Sequence, residues 1–124
     1  MDQSVALSRI TPVHLHAPIS QTAGAFTSTP GLDLSGYEGV VTAVVTTGAI
    51  TGTLTLIRLQ DSADNAAFAD IAGATAVDVT TAAQVRTVSV DVRSIRRFAR
   101  FGATVTTGPV LIGVAIVGFR KYMA

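Results

Sequence analysis

The chain contains no cysteine and no tryptophan, and charged residues make up only 14% of its 124 residues. The lack of cysteine excludes disulfides, thiolate metal sites and a cysteine nucleophile. An ordinary soluble domain carries about 25% charged residues, so we expect part of this surface to be covered by other protein chains. The sequence therefore predicts a protein that associates with itself or with other proteins.

Two further classes of partner are disfavoured. The net charge of +1 provides no strong positive field, so we expect no specific binding to nucleic acid. The longest apolar stretch, Val110 to Phe119, spans ten residues, whereas a membrane helix needs about 20. Asp2 stands where a secretory signal peptide carries positive charge, so we also expect no such peptide.

What the chain has in abundance is β-branched side chains, since valine, threonine and isoleucine together number 41 of 124 residues. These side chains favour pleated strands over helices. Short apolar runs separated by turn residues predict an all-β fold, an antiparallel β-sandwich or jelly-roll-like domain. The expected strands cover residues 39–47, 53–60, 76–80, 86–92, 97–106 and 110–118.

Three of these strands have distinctive patterns. Residues 40–45 are apolar on both faces, which predicts a central strand covered on two sides. The apolar phase changes near Leu56, which indicates either a β-bulge or burial on both sides. Ala99, Phe101, Ala103 and Val105 share one phase, and the turn that follows predicts a hairpin between the last two strands.

Residues 1–30 hold three of the four prolines and both histidines, without a regular period. We interpret them as an extended N-terminal arm that packs on its own domain or on a neighbour, followed by a β-sandwich domain over residues 31–124. Pro12, His14, His16 and Pro18 are candidate interface residues of this arm. The i, i+2 spacing of the histidines also points both rings to one side of an extended strand, which leaves metal binding open as an alternative.

An acidic group, Asp61, Asp64, Asn65 and Asp70, has oxygen ligands that calcium favours, but it lacks the spacing of a known calcium loop. Turn chemistry accounts for it adequately. No base, arginine clamp or aromatic platform accompanies these carboxylates in sequence. We therefore expect no enzymatic activity and no cofactor.

The densest local signal is a cluster of four arginines, Arg93, Arg96, Arg97 and Arg100, within eight residues. Arginine is enriched at protein interfaces, so we predict that this cluster docks on an acidic partner surface, with Arg120 and Lys121 as further candidates. The alternatives are a solvated turn, or binding of nucleic acid or another anion by these arginines. A carbohydrate-binding module is also open, with Tyr37 and Tyr122 as the aromatic residues able to stack a sugar.

Two stretches, Gln60 to Gly73 and Val88 to Arg100, resemble small structural proteins encoded in the head gene clusters of tailed phages. The likeness covers roughly residues 37–118. It implies a head decoration or cement protein, made in the bacterial host cytoplasm. Such a protein binds the major capsid protein on the outer surface of the virion, often as a homotrimer. Tail-tube, tail-terminator and head-to-tail connector ring proteins of this size are the alternative.

Overall fold

The computed structural model describes residues 10–28 and 31–120, which form nine strands and one short 3₁₀ turn, Val92–Ser94. Two antiparallel sheets pack together around one core, which confirms the predicted all-β sandwich. The strands are β1 (Ile10–Gln21), β2 (Gly24–Thr27), β3 (Leu32–Asp33), β4 (Tyr37–Ile50), β5 (Thr53–Ser62), β6 (Ala69–Thr75), β7 (Val85–Asp91), β8 (Phe98–Thr106) and β9 (Val110–Arg120).

Sheet A has the strand order β1-β9-β4-β7, and sheet B has the order β2-β8-β5-β6 with β3 also paired to β8. The edge strands β1 and β2 contain most of the described part of the segment predicted as an arm. Because proline donates no backbone hydrogen bond, an edge position suits Pro12 and Pro18. Residues 10–27 thus pair with their own sheets, and the domain boundary at residue 30 stays a prediction.

The core lies between the sheets and is built from alternate residues of the long strands. In β8 the predicted inward set is buried, with Phe101 fully covered. Each valine, leucine, isoleucine or phenylalanine buried in this way contributes about 1.5–3 kcal/mol. The facing layer from sheet A consists of Val41, Ala43, Val45, Ile112, Val114 and Ile116.

A β-bulge interrupts β5, as the change of apolar phase indicated. The pairing of β5 with β8 shifts register between Thr55 and Arg58, and Leu56 within this gap has a φ of 53°. The Leu56 side chain is 65% exposed. The bulge therefore lets Leu54 and Ile57 both face the core although they are three residues apart.

The prediction that β4 is covered on both sides is wrong. Val41, Ala43 and Val45 are buried, but Val40 on the other face is 55% exposed and Val44 is only partly buried. The strand is central within sheet A, yet nothing in the described chain lies over its outer face. An apolar sequence on both faces of a strand identifies its apolar side chains, but it does not show whether one or both faces are covered by other layers.

The predicted hairpin of the last two strands is also wrong. β8 belongs to sheet B and β9 to sheet A, so the turn at residues 107–109 carries the chain across the sandwich. A short turn can connect two neighbouring strands of one sheet, or it can connect a strand of one sheet to a strand of the other. Here each strand buries its own inward phase against the other sheet, because β5 already lies beside β8 and β4 beside β9.

Residues 76–80 were expected to form a strand, but they make only an isolated bridge between Leu54 and Val79. Arg86 in β7 holds this segment, since its guanidinium donates hydrogen bonds to the backbone oxygens of Val77 and Asp78 at 3.2 and 3.3 Å. The segment thus lies between β5 and β7 at the edge of the sandwich, but it does not form a further strand of either sheet.

Candidate protein interaction site

The predicted arginine cluster lies at one end of the sandwich, around the crossing from sheet A to sheet B. Arg93 belongs to the 3₁₀ turn, Arg96 and Arg97 to the following loop, and Arg100 to β8. Asp91 caps the turn by accepting a hydrogen bond from the backbone N–H of Arg93 at 3.0 Å. This cap fixes the start of the loop that presents the other guanidinium groups.

Arg96 makes the most extensive of these contacts, with Asp61 at the end of β5. Its Nε and Nη2 both donate to Oδ1 of Asp61, at 3.1 and 2.9 Å, and its backbone N–H donates to Oδ2 at 3.0 Å. The Asp61 side chain is only 14% exposed. Burial raises the pKa of Asp61, but the hydrogen bonds from Arg96 outweigh it and leave the pKa below its ordinary value.

Arg97 and Arg93 each pair with one aspartate near the surface. Arg97 Nη2 lies 2.7 Å from Oδ2 of Asp33, and Arg93 Nη2 lies 3.0 Å from Oδ2 of Asp91. The hydrogen bond from Arg97 holds the pKa of Asp33 well below its usual range, and the one from Arg93 lowers the pKa of Asp91. Three of the four clustered arginines are thus neutralised by aspartates of their own chain.

Arg100 belongs to a polar network on the outer face of sheet B. Its Nε donates to Oε1 of Gln60 at 2.8 Å, and its guanidinium stacks 4.1 Å from the centre of the Phe68 ring. Gln60 and Arg58 in turn donate to Oδ1 of Asp70, at 2.7 and 3.1 Å. This network covers the outer face of sheet B with hydrogen-bonded charge.

An open cleft of about 500 Å³ lies beside the arginine cluster, between the β3–β4 turn and the 3₁₀ turn. Buried Leu34 and Tyr37 form part of its apolar lining. The sequence analysis did not predict this cleft. The charged side chains that line it are Glu38, Arg93, Arg96 and Arg97.

The other predicted interface residues are spread over the fold. Pro12 in β1 pairs with β9, Pro18 lies over Gly113 on the outer face of sheet A, and Arg120 lies opposite Tyr37, whose side chain lines the cleft. Lys121 falls outside the described residues. Of these other predicted interface residues that the structure describes, only Arg120 lies near the arginine cluster, and its placement is given by its backbone pairing.

The two histidines do not share a side of their strand, contrary to the spacing argument. A register shift between His14 and His16 places the first beside Ala115 on the outer face and the second beside Val114 on the inner face. His16 packs 5.3 Å from the Phe26 ring, and its Nε2 is buried without a hydrogen-bond partner. Burial lowers the pKa of His16.

Within the described ranges, no group of three or more histidine, aspartate or glutamate side chains is placed to hold a metal ion. In the acidic group, Asp61 and Asp70 bind arginines, and Asp64 accepts hydrogen bonds from the backbone N–H groups of Ala66 and Ala67. The Asp64 contacts are those of a polar turn. Across the same residues, no helix has the length and apolarity to span a membrane.

The surface that sequence reasoning missed is the outer face of sheet A. Val40, Val85, Leu111 and Phe119 are each more than 40% exposed on this sheet. The second apolar phase of residues 40–45 carries this signal, but it predicts burial on both sides of the strand. A pattern of alternation does not distinguish a further layer of the same chain from a partner protein.

Comparison with known proteins gives no family model and no curated protein that matches this chain. Two solved structures share its fold. The PBSX exported protein XepA is 18% identical with a TM-score of 0.63, over 92% of this chain and 38% of XepA. The SPBc2 prophage-derived protein YomS is 12% identical with a TM-score of 0.53, over 88% of this chain and 93% of YomS.

These likenesses establish the fold, since both identities are low. The chain spans only 38% of the length of XepA, whereas it matches nearly the whole of YomS. The sandwich is thus an arrangement that also occurs in an exported protein and in a prophage-derived protein.

Proposed function

We propose that this protein is a non-enzymatic structural component of a phage particle, which acts by binding other proteins. The observation that carries the proposal is the outer face of sheet A, where valine, leucine and phenylalanine side chains lie exposed on a broad sheet. Such a face is stable in water when another protein covers it. The fold shared with phage-derived proteins supports a role in a phage.

The specific role we propose is decoration of the outer capsid surface, with the major capsid protein as partner and self-association into a homo-oligomer. The trimer implied by the resemblance stays a prediction. Each copy would bridge capsid subunits and stabilise the shell against the pressure of packaged DNA. Stable interfaces of this kind bury about 1,200–2,000 Å².

The arginine end is suited to such docking because its ion pairs can be exchanged at low cost. The Arg93 side chain is 83% exposed and its partner Asp91 34% exposed, and pairs this exposed contribute little to stability because water screens them. A carboxylate on a capsid protein can therefore replace Asp91 or Asp33 without a large loss. The apolar lining of the adjacent cleft adds area to that contact.

Deletion of the gene from its phage tests the role directly. Heads should still assemble and package DNA, but they should release it at a lower temperature than wild-type heads, and added purified protein should restore the difference. Heads that lack tails would indicate instead the tail or connector role. Particles with unchanged stability and normal tails would contradict a structural role.

The docking surface is tested by the double variant Arg93→Ala/Arg97→Ala in a binding assay with heads that lack the protein. We expect about a tenfold or larger loss of affinity, because two guanidinium contacts are removed. A matched control is Thr80→Asp/Ala82→Asp, which changes the net charge equally at exposed positions away from the cluster. Equal binding by both variants would exclude the arginine end as the docking surface.

A second candidate role rests on the description of XepA as an exported protein. In that case this chain would act outside the host cell and not within the particle. Fractionation of an induced culture separates the two roles. A particle protein sediments with purified virions, whereas an exported protein remains in the particle-free medium.

A further inference from the structure

The two outer faces of the sandwich differ sharply in charge. Sheet B presents the hydrogen-bonded network of Arg58, Asp70, Gln60 and Arg100. Over the middle of sheet A, the outward residues that the structure describes include no aspartate, glutamate, lysine or arginine. They are His14, Pro18, Thr42, Val44, Thr46, Val85, Thr87, Ser89, Leu111, Gly113, Ala115 and Val117.

Among the described residues, charge reappears at one end of this face, where Glu38 lies opposite Phe119 and Asp91 lies opposite Val40. The hydroxyl groups within the face are partly satisfied already, since Oγ1 of Thr42 and Oγ of Ser89 are 2.9 Å apart across β4 and β7. A hydroxyl that is already paired costs less to remove from water than a free one. Covering the face therefore removes fewer unpaired hydroxyl groups from water than its number of threonines and serines suggests.

The size of the face matches what a stable interface requires. Four strands spaced about 4.8 Å apart give a width of roughly 19 Å, and about ten residues at 3.3 Å each give a length of roughly 33 Å. One copy thus presents roughly 600 Å², and two copies in contact remove roughly 1,200 Å² from water. This value reaches the lower limit of stable protein interfaces.

We infer that a second copy of this chain covers the outer face of sheet A, with the two faces stacked about a two-fold axis. An uncharged surface of small and β-branched side chains is complementary to itself, because no charge has to meet an opposite one. Sheets that stack in this way lie about 10 Å apart. This pairing rests on the proposed self-association and specifies the surface through which it occurs. Its mass distinguishes it from a trimer.

Sedimentation equilibrium of the purified protein tests the pairing. The wild type should have the mass of a dimer at about 100 µM, and Val44→Lys should raise the dissociation constant about tenfold or more, because it places a charge at the centre of the face. Val77→Lys is the matched control, since Val77 is 74% exposed in the 76–80 segment. A wild-type monomer or trimer, or a Val44→Lys dimer of unchanged affinity, would overturn the inference.

A second measurement does not depend on whether Val44→Lys folds. The chain has no cysteine, so Thr46→Cys on the face and Thr80→Cys away from it each introduce one thiol. The rate of maleimide labelling at Thr46→Cys should fall about tenfold as the protein is concentrated from roughly 0.1 to 100 µM, while the rate at Thr80→Cys stays constant. Equal rates for the two sites at high concentration would exclude the stacked pair.

The two proposals fail in different ways. A protein that is present in virions but keeps its Thr46→Cys thiol reactive when concentrated retains the proposed function and refutes the stacked pair. A protein that dimerises through this face but is absent from particles refutes the proposed function and retains the pair.

Discussion

In this chain with few charged residues, aspartates pair with the clustered arginines. Asp61 contributes both carboxylate oxygens and its backbone oxygen to Arg96, while Asp33 and Asp91 hold the neighbouring arginines. The sequence predicted the arginine cluster as a feature but not its partners, because Asp33 and Asp61 are 64 and 35 residues away from them. Which distant residues pair depends on the order of the strands in the sheets. The alternation of apolar and polar residues along the sequence does not give that order.

The Asp61–Arg96 contact is the strongest of these pairs, and we expect Asp61→Ala to lower the free energy of unfolding by about 1–3 kcal/mol. The loss arises because the backbone N–H and the guanidinium of Arg96 lose a partly buried acceptor. Urea unfolding followed by circular dichroism measures the change. The control is Asp70→Ala, because the Asp70 side chain is 65% exposed and accepts hydrogen bonds from the side chains of Arg58 and Gln60, so its loss should cost less. An equal loss in both variants would contradict this ranking.

We expect His16 to make the fold less stable in mild acid. Burial lowers its pKa, so the unfolded chain takes up the proton first as the pH falls. The stability contributed by neutral His16 is therefore complete above the unfolded pKa of about 6.5 and is lost as the pH falls below it. Denaturant midpoints at about pH 7.5 and 5 should differ more for the wild type than for His16→Phe. An equal difference would show that His16 does not carry this dependence.

At the scale of elements, two turns lie close together where the chain crosses between the sheets. The turn between β4 and β5 and the turn between β8 and β9 pack on each other at one end of the sandwich. Gly52 in the first turn has a φ of 115°, and a side chain there would overlap the backbone oxygen of Thr107 in the second. Glycine thus permits the close approach of two turns that both connect sheet A to sheet B.

We expect Gly52→Ala to destabilise the protein by about 2 kcal/mol or more, because the methyl group adds a backbone clash to the strain of a positive φ. Gly73→Ala is the matched control, since Gly73 has a φ of 77° with open space around it. Thermal unfolding of both variants measures the difference. Similar losses would indicate that φ strain alone matters and that the two turns do not pack closely.

The elements also show how far the sequence predicts the fold. Regular alternation placed β7 and β8 well, and the phase change at Leu56 correctly indicated a bulge. The hairpin was predicted wrongly because the turn at residues 107–109 is compatible with strands in one sheet or in two. The outer face of sheet A was missed because apolar alternation identifies a face to be covered but not the molecule that covers it.

At the scale of the whole molecule, charge is distributed unevenly over the two faces and the end of the sandwich. Sheet B carries hydrogen-bonded charge, the arginine end carries exchangeable ion pairs, and the middle of sheet A carries neither. In an isolated monomer, the uncharged middle of the outer face of sheet A would be exposed to water. This distribution is what we expect of a subunit that functions within an assembly.

Quantitative mass spectrometry of gradient-purified virions tests this account most directly, because it counts the copies of the chain in each particle. A lattice-wide decoration protein should be present in numbers on the order of hundreds, close to the number of capsid subunits, whereas a ring contains about six or twelve. Complete absence from purified particles, with the protein recovered as a soluble monomer, would contradict the account.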